Sequence, residues 1–110
     1  MTSEDELEVA LARFMKARGW RRYRNQIGVY QIEWRTQRIG TPGYPDWTFR
    51  RSTSKHGTIE ICHVETKASG KKPSSVQLEQ IALLNHLGEP AIWIDNMEKF
   101  ELWYLNLFSR

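Results

Sequence analysis

The stretch TIEICHVETK, Thr58 to Lys67, decides the reading of this chain. Its β-branched and apolar residues predict a half-buried strand. That strand ends on Glu65-Thr66-Lys67, a carboxylate two residues from an ammonium. In a strand alternate side chains share a face, so Glu65 and Lys67 project together while Val64 and Thr66 face away. Ile59, Ile61 and His63 fall on the Glu65 side, His63 as a surface residue or one in reach of substrate or a carboxylate, and Cys62 on the other, as a core residue.

Upstream, IGTPGYPDW, Ile39 to Trp47, is dense in turn residues. Gly40, Pro42, Gly43 and Pro45 fix an irregular path that delivers Asp46 to a short strand from Trp47 to Arg51. STSKHG forms a turn, so this strand and Thr58–Lys67 form a hairpin. Asp46 and Glu65 then converge at one end of it. Two convergent carboxylates suit a hard divalent cation. A lysine beside them suits phosphodiester cleavage, where positive charge must meet charge developing on phosphate.

Working outward, Ser3 followed by Glu4, Asp5 and Glu6 is a helix-start signal. Leu7, Leu11, Phe14 and Met15 recur at helical spacing, and Gly19 ends a helix over 4–18. Arg21 to Arg38 reads extended, with Tyr30, Ile32, Trp34 and Thr36 on one face. After the polar loop ASGKKPSS, Ser74 or Ser75 caps a second helix with Val76, Ile81, Leu84 and Leu87 inward, ending before Gly88. Ala91 to Ile94 is a short strand, Asp95 to Lys99 a turn, and Leu102 to Phe108 a last strand. The expected class is α/β: a small mixed sheet flanked by helices, in one domain over 1–110.

The chain has 110 residues, 40% of them hydrophobic, and a net charge of +3. The apolar content and five tryptophans exclude a disordered chain. One cysteine excludes an internal disulfide and predicts a reducing compartment. No signal-peptide pattern and no membrane-spanning run are present. His56, His63, His86 and Cys62 have no zinc-site spacing, and no glycine-rich phosphate loop follows a strand. Basic residues cluster around the hairpin: Arg21, Arg22 and Arg24 after the first helix, Arg50 on the hairpin, and Lys71 and Lys72 after Lys67. They suit sequence-independent contacts to DNA phosphates.

Pro45-Asp46 with Glu65-Thr66-Lys67 on a hairpin resembles the PD-(D/E)xK nuclease superfamily, with its restriction-endonuclease-like core. GYPD, ETK, YRNQIG, an acidic first helix and Ser74 to Gln77 opening a helix that ends at Gly88 are together similar to the VRR-NUC domain, the virus-type replication-repair nuclease module. The resemblance implies that Asp46 and Glu65 are metal ligands with the main-chain carbonyl of Thr66, for Mg2+ or Mn2+. It implies that Lys67 is the catalytic lysine, that Gln77 points back toward the site, and that Glu4 lies near the metal through water, with Glu6 and Glu8 as competitors. It implies a structure-selective DNA endonuclease acting on branched or Holliday-junction DNA in DNA repair. A stand-alone homodimeric module of phage or bacterial type would work in the cytoplasm of a bacterial or phage-infected cell. The Tyr30, Ile32 and Trp34 face is the expected dimer interface. The alternatives are a non-catalytic nucleic-acid-binding module of the same fold and a nicking or restriction-type nuclease.

Overall fold

The computed structural model describes residues 3–25, 28–32, 35–53 and 57–108, those between 28 and 39 by their backbone. Helix α1 runs Glu4–Lys16, with Ser3 as its cap: the Ser3 hydroxyl accepts from the Glu6 amide. Three strands follow, β1 (Arg21–Arg24), β2 (Gly28–Ile32) and β3 (Arg35–Ile39). Then come β4 (Trp47–Ser52), β5 (Ile59–Thr66), helix α2 (Ser75–His86), β6 (Ala91–Ile94) and helix α3 (Met97–Phe108).

A four-stranded sheet is ordered β1-β4-β5-β6. β1, β4 and β5 are antiparallel, and β6 joins β5 in parallel after the α2 crossover. The expected hairpin is therefore β4–β5, with Trp47 opposite Val64 and Phe49 opposite Cys62. The extended run 21–38 divides into β1 on the main sheet and a separate β2–β3 hairpin. The Tyr30, Ile32 and Trp34 face lies outside the described side chains, and so do Lys55 and His56.

One sheet face carries the main core. Leu7, Leu11 and Met15 of α1 pack with Phe49, Cys62, Val64, Ile94, Phe100 and Tyr104. Each such side chain contributes about 1.5–3 kcal/mol on burial. Cys62 is wholly buried and its thiol is pushed up to about 12, as expected of a core cysteine.

Residues 102–108 form no strand: they belong to α3. Phe100, Tyr104 and Phe108 recur every four residues, and the first two are buried. The Phe14 ring meets Phe100 at 5.6 Å and Tyr104 at 5.2 Å, both edge-on. The Trp20 indole donates to the Tyr104 hydroxyl at 3.0 Å. A strand would set Phe100 and Tyr104 roughly 13 Å apart, too far for both to meet the one Phe14 ring. The start signal is Asn96, whose side-chain oxygen accepts from the Lys99 amide at 2.8 Å.

The inward face expected for α2 also needs correction. Leu84 is buried, but Val76 is 44% exposed and Leu87 64%. A polar clamp supplements the missing apolar contact: Asn85 donates to the Ala91 carbonyl and accepts from its amide. Among the described residues, no helix is long and apolar enough to cross a membrane.

Candidate active site

Asp46 stands immediately before β4, and Glu65 and Thr66 end β5. The register Trp47 opposite Val64 continues to Asp46 opposite Glu65 and Pro45 opposite Thr66. Along β5, His63 and Lys67 send their amides to β6, to the Pro90 and Ile94 carbonyls. Thr66 therefore turns its backbone groups toward the β4 side. Pro45 has no amide proton, so the Thr66 carbonyl has no ladder donor there. The Thr66 amide and hydroxyl instead donate to Asp46 Oδ2 at 3.4 and 3.2 Å. A proline at 45 thus frees a carbonyl beside two carboxylates.

Glu65 is 2% exposed. Its Oε1 accepts from the Asp46 amide at 3.2 Å, and its Oε2 from Gln77 Nε2 at 3.2 Å. Lys67 Nζ lies 3.4 Å from the same Oε2. Burial is the largest influence on Glu65 and lifts it to about 7. The Asp46 charge lifts it too, and the Lys67 charge opposes both. Two carboxylates brought together at one sheet end favour a cation between them. Among the described residues, no three His, Cys, Asp or Glu side chains gather into a ready-made metal cluster. The donor set here is two carboxylates and the Thr66 carbonyl, all hard oxygens. It fits Mg2+ or Mn2+, with water completing the shell.

Gln77 has two duties. It closes a capping box with Ser74, its Oε1 accepting from the Ser74 amide at 2.8 Å, while Nε2 reaches Glu65. The α2 N-terminus is seated by Gly43, whose φ is +80°. A Cβ there would lie 2.6 to 2.8 Å from Val76 Cγ1 and its carbonyl group. Gly43→Ala is therefore expected to cost roughly 2 kcal/mol or more, lowering the melting temperature by about 10 °C. A differential scanning melt checks this, and an unchanged midpoint would refute the close approach.

Among the first-helix carboxylates, Glu8 feels the Asp46 charge. Its carboxyl is raised, chiefly by burial; Arg24 opposes that, while Asp46 and Glu4 add to it. Arg24 lies 3.7 Å from Glu8. Glu4 sits one turn earlier and half-buried, whereas Glu6 is exposed and bonded to Ser3. The structure thus places Glu8 beside Arg24 and Trp47, one turn beyond Glu4 on the same helix face. The Trp47 indole N–H is buried with no hydrogen-bond partner among the described residues, yet it favours the ionised Glu8.

The basic residues divide between two faces. Arg22 and Arg24 stack toward Trp47 at 4.7 and 5.0 Å. Arg21 is opposite Arg50 on the other face, where Arg50 lies 5.4 Å from the Tyr23 ring centre. Lys71 and Lys72 are exposed in the loop before α2.

His63 is a residue that sequence reasoning misjudged, taking it for a surface side chain. It is 1% exposed. Asn25 Nδ2 donates to the Pro45 carbonyl at 2.9 Å and to Thr48 Oγ1 at 2.8 Å. The Thr48 hydroxyl is then free to donate to His63 Nδ1, at 2.9 Å. That leaves Nε2 as the protonated nitrogen, donating to Glu89 at 2.8 Å. Asn25 also gives its amide to the Asp46 carbonyl at 2.8 Å. This buried chain fixes the Pro45-Asp46 backbone against β5. Its sequence signal was Asn25 in YRNQIG, a polar residue at a strand end.

Comparison with protein-family models, curated proteins and solved structures gives no match.

Proposed function

We propose that this chain is a metal-dependent DNA endonuclease of PD-(D/E)xK type, similar to VRR-NUC modules. The observation that carries the reading is the joining of Asp46, Glu65 and Thr66 at one sheet end, with Lys67 3.4 Å from Glu65. The element order supports it: helix, antiparallel strands, crossover helix and parallel strand is the order expected of a restriction-endonuclease-like core.

Asp46, Glu65 and the Thr66 carbonyl would hold Mg2+ or Mn2+, with Glu8, or Glu4, acting through water. When bound, the cation supplies positive charge to the scissile phosphate and makes water more acidic. The chain's own groups do the rest. Thr66 holds the Asp46 carboxylate, and Gln77 holds that of Glu65. The Lys67 side chain is 21% exposed, so its ammonium can donate to the attacking water or to a phosphate oxygen. Arg21, Arg22, Arg24, Arg50, Lys71 and Lys72 would contact flanking phosphates, giving an affinity that falls with salt. Branched DNA as substrate comes with the resemblance, and so does action as a homodimer with one site per protomer.

The test is cleavage of a four-way junction, a flap and a blunt duplex in magnesium, in manganese and in chelator. Cutting of branched DNA in either metal and none in chelator is expected. No cutting of any substrate in either metal would overturn the reading.

A further inference from the structure

Beside the carboxylates, on the sheet face away from the main core, lies a groove of about 530 Å3 that the mechanism does not use. Tyr23, Arg24, Asn25, Tyr44, Thr48 and Arg50 are among the residues that line it. We propose that this groove takes one unpaired nucleotide of the DNA strand being cut, next to the scissile phosphate. The assignment of a strand rests on the nuclease reading above.

Four observations carry it. The groove adjoins the site. Thr48, in its floor, is bonded to His63, and His63 and Glu65 occupy successive same-face positions of β5, roughly 7 Å apart. Tyr44 is two residues from Asp46, and Asn25 binds the Asp46 carbonyl. One neighbouring nucleotide spans such a step.

The walls are aromatic and basic. The Tyr23 ring is 41% exposed and carries Arg50 at 5.4 Å. Tyr44 stands edge-on to His63 at 5.5 Å. Rings backed by guanidinium groups are the stacking and phosphate contacts of single-strand binders. The carboxylate that acts on Tyr44 is Glu89, which is tied to His63, and Arg50 opposes it.

The side-chain protons of Asn25 and Thr48 are not available to read a base. The Asn25 side-chain protons go to Pro45 and Thr48, and the Thr48 proton goes to His63. Recognition is left to stacking and charge, which tolerate any base. Finally, the size lies within the ~300–1,000 Å3 range of small-ligand clefts. A base inside a duplex is stacked on both faces and has no ring face to offer. The groove thus selects DNA with an unpaired nucleotide at the cut, a flap, gap or splayed branch, over a fully paired duplex.

The test is binding in chelator, where no cleavage is expected, read by fluorescence anisotropy on a labelled single strand and a blunt duplex. Tyr23→Ala is expected to weaken the single strand about tenfold and leave the duplex unchanged. Tyr23→Phe keeps the ring and should bind as the parent does. Arg50→Gln, at an exposed position, should weaken the single strand several-fold and provides a second reading if Tyr23→Ala melts early. Single-strand affinity unchanged in both Tyr23→Ala and Arg50→Gln would overturn the proposal. So would a free deoxynucleoside monophosphate that competes as well as the strand does, since that describes a small-molecule site. The two readings fail separately. If the parent cuts branched DNA in metal while both variants bind single strands normally, the groove proposal alone is lost. If the parent cuts nothing but Tyr23→Ala loses the single strand, the groove stands and the nuclease reading falls.

Discussion

Lys67→Ala is expected to slow cleavage by ~100-fold or more while leaving duplex affinity within about twofold. The residue is firmly placed. Its amide donates to the Ile94 carbonyl at 2.9 Å, which extends β5 past its last paired residue. Its ammonium lies 3.4 Å from Glu65 Oε2 and is 21% exposed, facing both the carboxylates and solvent. For binding, it is one cation among 16 lysines and arginines. Losing one of many phosphate contacts costs little affinity. For catalysis it is the cation seated against the carboxylate pair, where charge develops in the transition state. One such donor is worth about 3 kcal/mol. Lys67 also opposes the rise in Glu65, so the variant will need more metal. Rates must therefore be compared at saturating metal and DNA, in single-turnover form. Manganese should not rescue this variant, because all the oxygen donors remain. Asp46→Asn, which removes a donor, should be partly rescued. Parental rates in Lys67→Ala would remove the lysine from the mechanism.

What the sequence made legible follows from local rules. GYPD and ETK could be joined because a hairpin has one register, and in it Pro45 meets Thr66 and Asp46 meets Glu65. The capping role of Gln77 was readable from Ser74 three residues before it. The site role of Gln77 needed the close seat of α2 on Gly43, a contact between distant segments. The α3 helix was not legible from periodicity. LWYLNLF is apolar on alternate positions and at helical spacing alike, and such runs are ambiguous. The Phe14 and Trp20 rings resolve the ambiguity, and they come from the other end of the chain. His63 was misread for a related reason. Its burial depends on Asn25, Thr48 and Glu89, three residues brought together by three different elements. Glu4 and Glu8 lie on one helix face, and which partners each meets depends on how α1 packs on β1 and β4: Glu8 meets Arg24.

Glu65→Gln should abolish cleavage and, in the absence of metal, stabilise the protein at pH 8. Burial first, and the Asp46 charge second, raise the Glu65 carboxyl to about 7. In the unfolded chain it returns to its ordinary value near 4.5. The fold therefore favours the protonated form. That contribution is fully present below about pH 4.5 and is lost as pH rises through about 7. At pH 8 the metal-free protein must hold two adjacent carboxylates ionised, at a cost on the order of 2 kcal/mol. A divalent cation reverses the balance, because it binds the ionised pair and the folded state alone. Thermal melts of the parent should accordingly show a magnesium-induced rise that is large at pH 8 and small at pH 5. The glutamine keeps the shape of Glu65, carries no charge and can still meet the Asp46 amide through its carbonyl oxygen, but it turns its NH2 toward the Gln77 and Lys67 donors, which offsets part of the gain. Its metal-free melting temperature at pH 8 should exceed that of the parent by a few degrees. Magnesium should then move it little at either pH. If parent and variant instead melt together at pH 8 and respond equally to magnesium, Glu65 is no ligand, and the cation must be sought elsewhere.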